Sequence, residues 1–268
     1  GLKNIFSLYR TLSDYDIILD LQGNLKSSLL RFFIKGRFHR IQKHSKERRA
    51  FVKKRRYGEI LNKHVCQKYF TVFQEAFEIP DLADERLRPR YQANPLTFAK
   101  DFDFSNGIVV HPFASQKNKV WPHYKDFLLK LVEKKHSVIV VGQDEGEYDI
   151  PEHEQILNLT NKTNLGEMAS LMAQARAVIS TDSGPMHLAV ALSKPTLCFF
   201  GPTTKEFGFY PEFEKTKVLE MKSLDCRPCH VHGGNICPKE HFDCLTKIDV
   251  ETAYSGLEAL LGESPTLK

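Results

Sequence analysis

Short, continuous apolar runs separated by amphipathic stretches dominate the second half of the chain. After Asn106 come Ile108-Val109-Val110, a helical stretch from Tyr124 to Lys134, Val138-Ile139-Val140-Val141, and a helical stretch from Leu165 to Ala175. Ala177-Val178-Ile179, a helical stretch from Met186 to Leu192, and Thr196 to Phe200 complete the series. Runs without polar alternation are expected of parallel strands buried on both faces. Strand and helix in strict alternation imply a doubly wound α/β domain.

The first part is less regular. A helix is expected over about Lys3 to Leu12, then a strand at Asp16-Ile-Ile-Leu-Asp20, a turn at Gly23-Asn24 and a helix from Leu25 to Ile34. Residues 57–78 read as one long helix, and Ile79 to Pro95 as a Pro-containing connector. The pattern therefore predicts a first lobe over 1–95, a second over 96–248, and a C-terminal helix and tail over 249–268. One strand cannot form a covered parallel sheet, and the first residue is Gly1, so the expectation is that part of this lobe lies outside the chain.

Composition adds little until it is resolved along the sequence. The 268 residues are 41% hydrophobic and 26% charged, which is ordinary for a globular protein and excludes collagen-like or disordered chains. No run approaches the ~18 apolar residues of a membrane span, and Gly1 to Arg10 does not resemble a signal peptide, so a soluble cytoplasmic protein is expected. The net charge of +5 hides twelve Lys/Arg and a single acid, Glu47, between Arg31 and Arg56. Such a patch attracts phosphates on nucleic acid, an anionic membrane or a phosphorylated glycolipid. Nucleic acid would require stacking aromatics among the charges, whereas Phe32, Phe33 and Phe38 fit a buried helix face better; no nucleic-acid partner is expected.

Candidate chemistry sits where strands end. Val178-Ile-Ser-Thr-Asp-Ser-Gly-Pro-Met-His-Leu-Ala189 reads as a buried strand, a tight turn and a helix opened by Pro185. Free N–H groups and the helix dipole at such an edge favour a phosphate, although Asp182 or Ser183 as a simple helix cap accounts for the same residues. A second exit, from Val110 to Pro122, carries Ser115, Lys117 and Lys119 before Trp121-Pro122 and suits a diphosphate, with solvated lysines as the alternative. The exit Val141-Gly-Gln-Asp-Glu145 offers a carboxylate for ribose hydroxyls, or only a surface acid. Asn164 and Glu167 have capping-box spacing. Together the three polar exits argue for a nucleotide.

Cys226-x2-Cys229-x7-Cys237-x6-Cys244, with His230, His232 and His241 interleaved, has a zinc-like spacing. A structural zinc, paired disulfides and reduced thiols all remain open, and catalysis is not expected there. Cys66 and Cys198 read as ordinary buried residues.

Thr181-Asp-Ser-Gly-Pro-Met-His-Leu188, Lys194-Pro195, Phe200-Gly-Pro-Thr203, Lys119-x-Trp-Pro122 and Asp20-Leu-Gln-Gly-Asn-Leu-Lys26 together resemble the ADP-heptose:lipopolysaccharide heptosyltransferases, glycosyltransferase family 9. The resemblance runs over nearly the whole chain. It implies a GT-B architecture of two Rossmann-like lobes, an ADP-heptose donor, a lipid A-core acceptor and inverting transfer without a catalytic metal or other cofactor. Carried over by position, Ser115 and Lys119 bind the donor diphosphate, Glu145 the ribose, and Thr163 lies near the adenine, while Thr181, Asp182, Ser183, Gly184 and His187 line the sugar and phosphate site. Arg48, Arg49, Lys53, Lys54, Arg55 and Arg56 then meet the anionic acceptor or the inner membrane leaflet peripherally. The family's catalytic base is an Asp in a Ser-Leu-Gly-Asp-like motif, which does not occur in this chain.

Overall fold

The computed structural model describes residues 14–32, 35–80, 87–94, 102, 104 and 106–262. They divide into two compact units, Gly1–Arg88 with Lys205–Phe209, and Pro89–Thr204 with Tyr210–Lys268. The expected opening helix, much of the Ile79–Pro95 connector and the boundary at residue 96 lie outside the described residues.

In the first unit, β1 (Ile17–Asp20) is followed by α1 (Leu25–Leu30), β2 (Arg37–Arg40), α2 (Ser45–Lys54), α3 (Gly58–Leu61) and α4 (Val65–Phe77). The expectation of a single strand is corrected: β2 pairs parallel with β1, Ile17 opposite Arg37 and Asp20 opposite Arg40. Its sequence, Arg-Phe-His-Arg, lacks the apolar signature because it is only partly buried. The single helix over 57–78 is also corrected. His64 caps α4 through a box with Gln67, so the chain restarts a helix there and does not continue one. Phe32 is 82% exposed and Phe38 lies in β2, so they form no buried helix face.

The second unit contains β3 (Gly107–His111), α5 (Tyr124–Glu133), β4 (Ser137–Val140), β5 (Ile156–Asn158), α6 (Leu165–Gln174), β6 (Ala177–Thr181), α7 (Gly184–Ala191), β7 (Thr196–Phe199), β8 (Thr216–Leu219), α8 (Asp243–Thr246) and α9 (Val250–Leu261). The six strands are parallel in the order β5-β4-β3-β6-β7-β8. Both faces are covered, which is why the strands read as unbroken apolar runs. Ile108, Val110, Val138, Val140 and Ile179 pack with Phe127, Leu128 and Leu131 of α5 and with Ala253, Tyr254 and Leu257 of α9. Val109, Ile139 and Val178 point to the other face, against Met168, Leu171 and Met172 of α6. Among the described residues no helix is long and apolar enough to cross a membrane.

This order reverses direction between β3 and β6. Connections from those two strands leave in opposite directions, opening a crevice at their carboxyl ends, the place where open α/β sheets bind ligands.

Candidate functional site

His111, the last residue of β3, stands opposite Ser180 of β6 at the point of reversal. A cleft of about 910 Å³ opens there. It is lined from four consecutive strand exits: Phe113, Ser115 and Lys117 after β3; Gly142 to Glu145 after β4; Thr163 and Asn164 after β5; Ser183, Gly184 and Pro185 after β6. The structure thus brings Ser115, Glu145, Thr163, Ser183 and Gly184 to one cavity.

The opening turn of α7 is built to leave donors unspent. Ser183 occupies the cap position but makes no side-chain capping bond. A Cβ placed on Gly184 would meet nothing within 4 Å, so this end of the helix faces open space. The first N–H groups of an α-helix lack intrahelical acceptors, and with the dipole they favour an anion. Pro185 is the second helical residue, one later than expected, where its missing N–H is equally harmless. The simple-cap reading of this turn therefore does not hold.

Behind the cleft lies a buried polar frame. The Lys119 ammonium is 2.7 Å from the Asp182 carboxylate, their side chains 13% and 8% exposed. The Thr203 hydroxyl donates to the same carboxylate at 2.6 Å. The Lys119 ammonium also donates to the Asp182 carbonyl at 3.2 Å. Thr181 is fully buried, and its hydroxyl donates to the Phe113 carbonyl at 2.8 Å, tying the β6 exit to the β3 exit. Lys119, Thr181 and Asp182 are thus set behind the cleft wall and shape it. His187 lies one turn into α7, and burial lowers its pKa, only partly opposed by Asp182.

His111 shapes the site yet carries no sequence signal. His111 is buried, and desolvation pushes its pKa down to about 4. Its Nδ1 is 3.4 Å from the Ser183 hydroxyl, which also lies 3.3 Å from that of Ser180. The ring edge approaches Gly142 so closely that a Cβ there would fall 2.7 Å from the imidazole; with φ at +129°, only glycine fits this turn. Trp121 anchors the lysine loop: its indole N–H donates to the Ile248 carbonyl at 2.8 Å, and the ring stacks on Phe199 at 4.1 Å. Lys117 is exposed and paired with Glu147 at 2.9 Å.

The Cys-rich segment buttresses the same loop. Asn118 and Gly234 exchange two hydrogen bonds, at 3.0 and 2.8 Å. Asn235 reaches the cleft wall. Arg227, buried, donates to the carbonyls of Phe200, Gly201, Thr203 and Met221 and pairs with Glu220 at 2.8 Å. It thereby fixes the loop that presents Thr203 to Asp182. All six cysteines are free thiols; Cys198 is buried and Cys66 only half-buried. Burial pushes the Cys229 thiol up to about 11 and the Cys244 thiol to about 12. Among the described residues no group of three or more His, Cys, Asp or Glu is arranged to hold a metal, so the zinc reading of Cys226, Cys229, Cys237 and Cys244 gains no support from the geometry.

In the first unit, Asp20 is fully engaged. It accepts from the backbone N–H of Gln22 and Gly23 and from the Ser27 hydroxyl, and it pairs with Arg40 at 3.4 Å. These contacts make the Asp20 to Ser27 stretch a hydrogen-bonded clamp at the end of β1. Arg49, Lys53, Lys54, Arg55 and Arg56 are exposed on or just after α2, whereas Arg48 points inward and is buried.

A family model described as glycosyltransferase family 9 (heptosyltransferase) matches residues 5–236. Lipooligosaccharide heptosyltransferase 2 of Haemophilus influenzae is 28% identical, over 93% of this chain and 77% of that protein. Lipopolysaccharide heptosyltransferase 1 of Pseudomonas aeruginosa is 26% identical, over 95% and 76%. The solved ADP-heptose lipopolysaccharide heptosyltransferase II of Escherichia coli superposes with a TM-score of 0.64 at 20% identity, covering 97% of this chain and 81% of that one, and shares its α/β, GT-B fold. A parallel sheet with a polar cleft at its switch point, and a family match over most of the length, lead to one conclusion: the chain belongs to glycosyltransferase family 9 and is a glycosyltransferase.

Proposed function

We propose that the protein transfers a heptose from ADP-heptose to the phosphorylated inner core of lipopolysaccharide, with inversion and without a catalytic metal. The observation that carries this reading is the unspent N-terminus of α7 opening into the cleft beside Ser115 and Lys117. A nucleoside diphosphate fits this arrangement. Its phosphates meet the backbone N–H groups of Ser183 and Gly184, and the exposed Glu145 is placed for ribose hydroxyls. The Thr163 hydroxyl, buried and without a partner, is available to the base. As the glycosidic bond breaks, negative charge develops on the departing diphosphate. The α7 N-terminus and Lys117, the loop lysine that lines the cleft, stabilise that charge where it forms. A carboxylate deprotonates the acceptor hydroxyl; Asp20 is excluded from that role by its four partners.

The basic face of α2 suits an anionic acceptor, and its exposed Arg and Lys residues also suit contact with an anionic leaflet from the cytoplasmic side. The relatives' names, lipooligosaccharide heptosyltransferase 2 and lipopolysaccharide heptosyltransferase 1, support the acceptor class. The test is mass-spectrometric detection of heptose addition to a heptose-free lipopolysaccharide core, with ADP-heptose and a panel of other nucleotide sugars, in EDTA. Transfer from ADP-heptose alone supports the full reading. Transfer from another donor corrects the donor. Tight ADP binding with no transfer from any donor supports instead a nucleotide-binding module of the same fold.

A further inference from the structure

The Cys-rich segment delivers one residue to the cleft. Asn235 lines the cavity although it belongs to none of the four strand exits. It is exposed, and among the described residues its amide makes no hydrogen bond. The backbone that carries it is held on two sides. Gly233 has φ at +85°, a conformation that favours glycine, and a Cβ there would fall 2.8 Å from Lys119 Cε and 3.1 Å from Gln116 Cβ. The turn therefore lies directly on the stem of the buried lysine. The Asn118 backbone N–H donates to the Gly234 carbonyl at 3.0 Å, and the Gly234 N–H donates to the Asn118 side-chain oxygen at 2.8 Å. A Cβ on Gly234 would fall 2.7 Å from the His230 ring. Further back, the Cys229 N–H donates to the Pro202 carbonyl at 3.1 Å, and Arg227 holds the carbonyls of Phe200, Gly201 and Thr203. The segment is thus bonded both to the loop after β3 and to the loop after β7.

The strand order says what lies on that side of the cleft. Along β5-β4-β3-β6-β7-β8, Thr163 stands at the β5 exit, Glu145 at the β4 exit, and Ser115, Ser183 and Gly184 at the β3 and β6 exits. A nucleoside diphosphate with its base at Thr163 and its ribose at Glu145 has its phosphates at β3 and β6. Whatever is esterified beyond them continues towards β7, the side from which the Cys-rich segment enters. Phosphate oxygens only accept, and they already face the start of α7, Ser115 and Lys117. A carboxamide carries an acceptor and two donors, which matches neighbouring sugar hydroxyls, each able to donate and accept.

We propose that Asn235 is a specificity-determining residue of the donor site, its carboxamide hydrogen-bonding hydroxyls of the transferred sugar. This rests on the reading of the cleft as a nucleotide-sugar site, but not on the sugar being a heptose. Because the turn is already fixed by Asn118 and Lys119, little ordering of the backbone is needed when the sugar arrives.

The experiment is isothermal titration of the whole chain and of its Asn235→Ala and Asn235→Leu variants. The ligands are a panel of nucleotide sugars that includes ADP-heptose and, for the one that binds most tightly, its own nucleoside diphosphate. Losing hydrogen bonds to neutral hydroxyls should weaken the nucleotide sugar at least about fivefold in both variants, while the nucleoside diphosphate changes less than about twofold. The side chain is exposed, so without ligand both variants should melt within about 2 °C of the parent. Nucleotide-sugar affinity unchanged in both variants overturns the proposal. An equal loss for sugar donor and nucleoside diphosphate also overturns it, since the amide would then serve the phosphates. A fall of several degrees in the melting temperature of both variants overturns it as well, by making the amide structural. Failure of the underlying reading is distinct: the parent chain would bind neither a nucleoside diphosphate nor any nucleotide sugar, and the role of Asn235 would fall with it.

Discussion

Replacing Lys119 by Met tests whether the polar frame behind the cleft is a true buried ion pair. Met keeps most of the stem volume and removes the ammonium 2.7 Å from Asp182. The Asp182 carboxylate then keeps only the Thr203 hydroxyl, at 2.6 Å, in a side chain 8% exposed. Removing one partner of a buried pair leaves an uncompensated charge, worth about 3–5 kcal/mol of destabilisation. For a unit of this size that corresponds to a fall in melting temperature on the order of 10 °C. Asp182→Ala should fall comparably, because Lys119 is then the unpaired group. The double variant should recover part of the loss, with a coupling energy of at least ~2 kcal/mol in a urea-denaturation cycle. Single losses under ~1 kcal/mol that simply add would show an exposed, screened pair and refute the argument.

Arg227→Met leaves four backbone carbonyls without their donor and the Glu220 carboxylate with only the Tyr210 hydroxyl and the more distant Lys222; a loss of about 3 kcal/mol is expected in urea denaturation, together with weaker ADP binding by titration as the Thr203 loop loosens. Gly184→Val adds a side chain into open space, so the melting temperature should change little while the KM for ADP-heptose rises at least tenfold. His111 titrates near 4 in the folded protein against 6.5 for the free side chain, so between those values the unfolded chain binds a proton that the folded one refuses. Stability should therefore fall as pH drops from 6.5 to 4, by roughly 3 kcal/mol in total, and His111→Asn should flatten that part of the pH–stability curve.

The sequence revealed the parts of the fold whose physics is local. β3, β4, β6 and β7 are buried on both faces and read as apolar runs, and the Asn164 to Glu167 capping box appears as its spacing implies. β2, β5 and β8 escaped because they are short edge strands: Ile156–Asn158 has three residues and Thr216–Leu219 carries an exposed Lys217. At the site, the strand exits could be read one by one, since a strand-to-helix turn is contiguous in sequence. What joins them could not. Lys119 meets Asp182 across 63 positions, and Arg227 reaches Thr203 across 24 from within a motif that drew attention only for its cysteines. The basic segment misled in the opposite sense. Counting charges treats Arg48 like Arg49, yet one is buried and the other exposed. Lys68 of α4, also buried, drew no notice at all, because burial of a charge leaves no trace in composition.

The central claim is that a nucleoside diphosphate sugar binds at the switch point of the parallel sheet, against the start of α7. Hydrogen–deuterium exchange with and without ADP-heptose tests it directly. Slowed exchange confined to the exits at Phe113 to Lys117, Gly142 to Glu147 and Ser183 to His187, and to the turn that carries Asn235, is the predicted result. Unchanged exchange in all three exits at saturating ADP-heptose, or protection elsewhere in the chain, would contradict it.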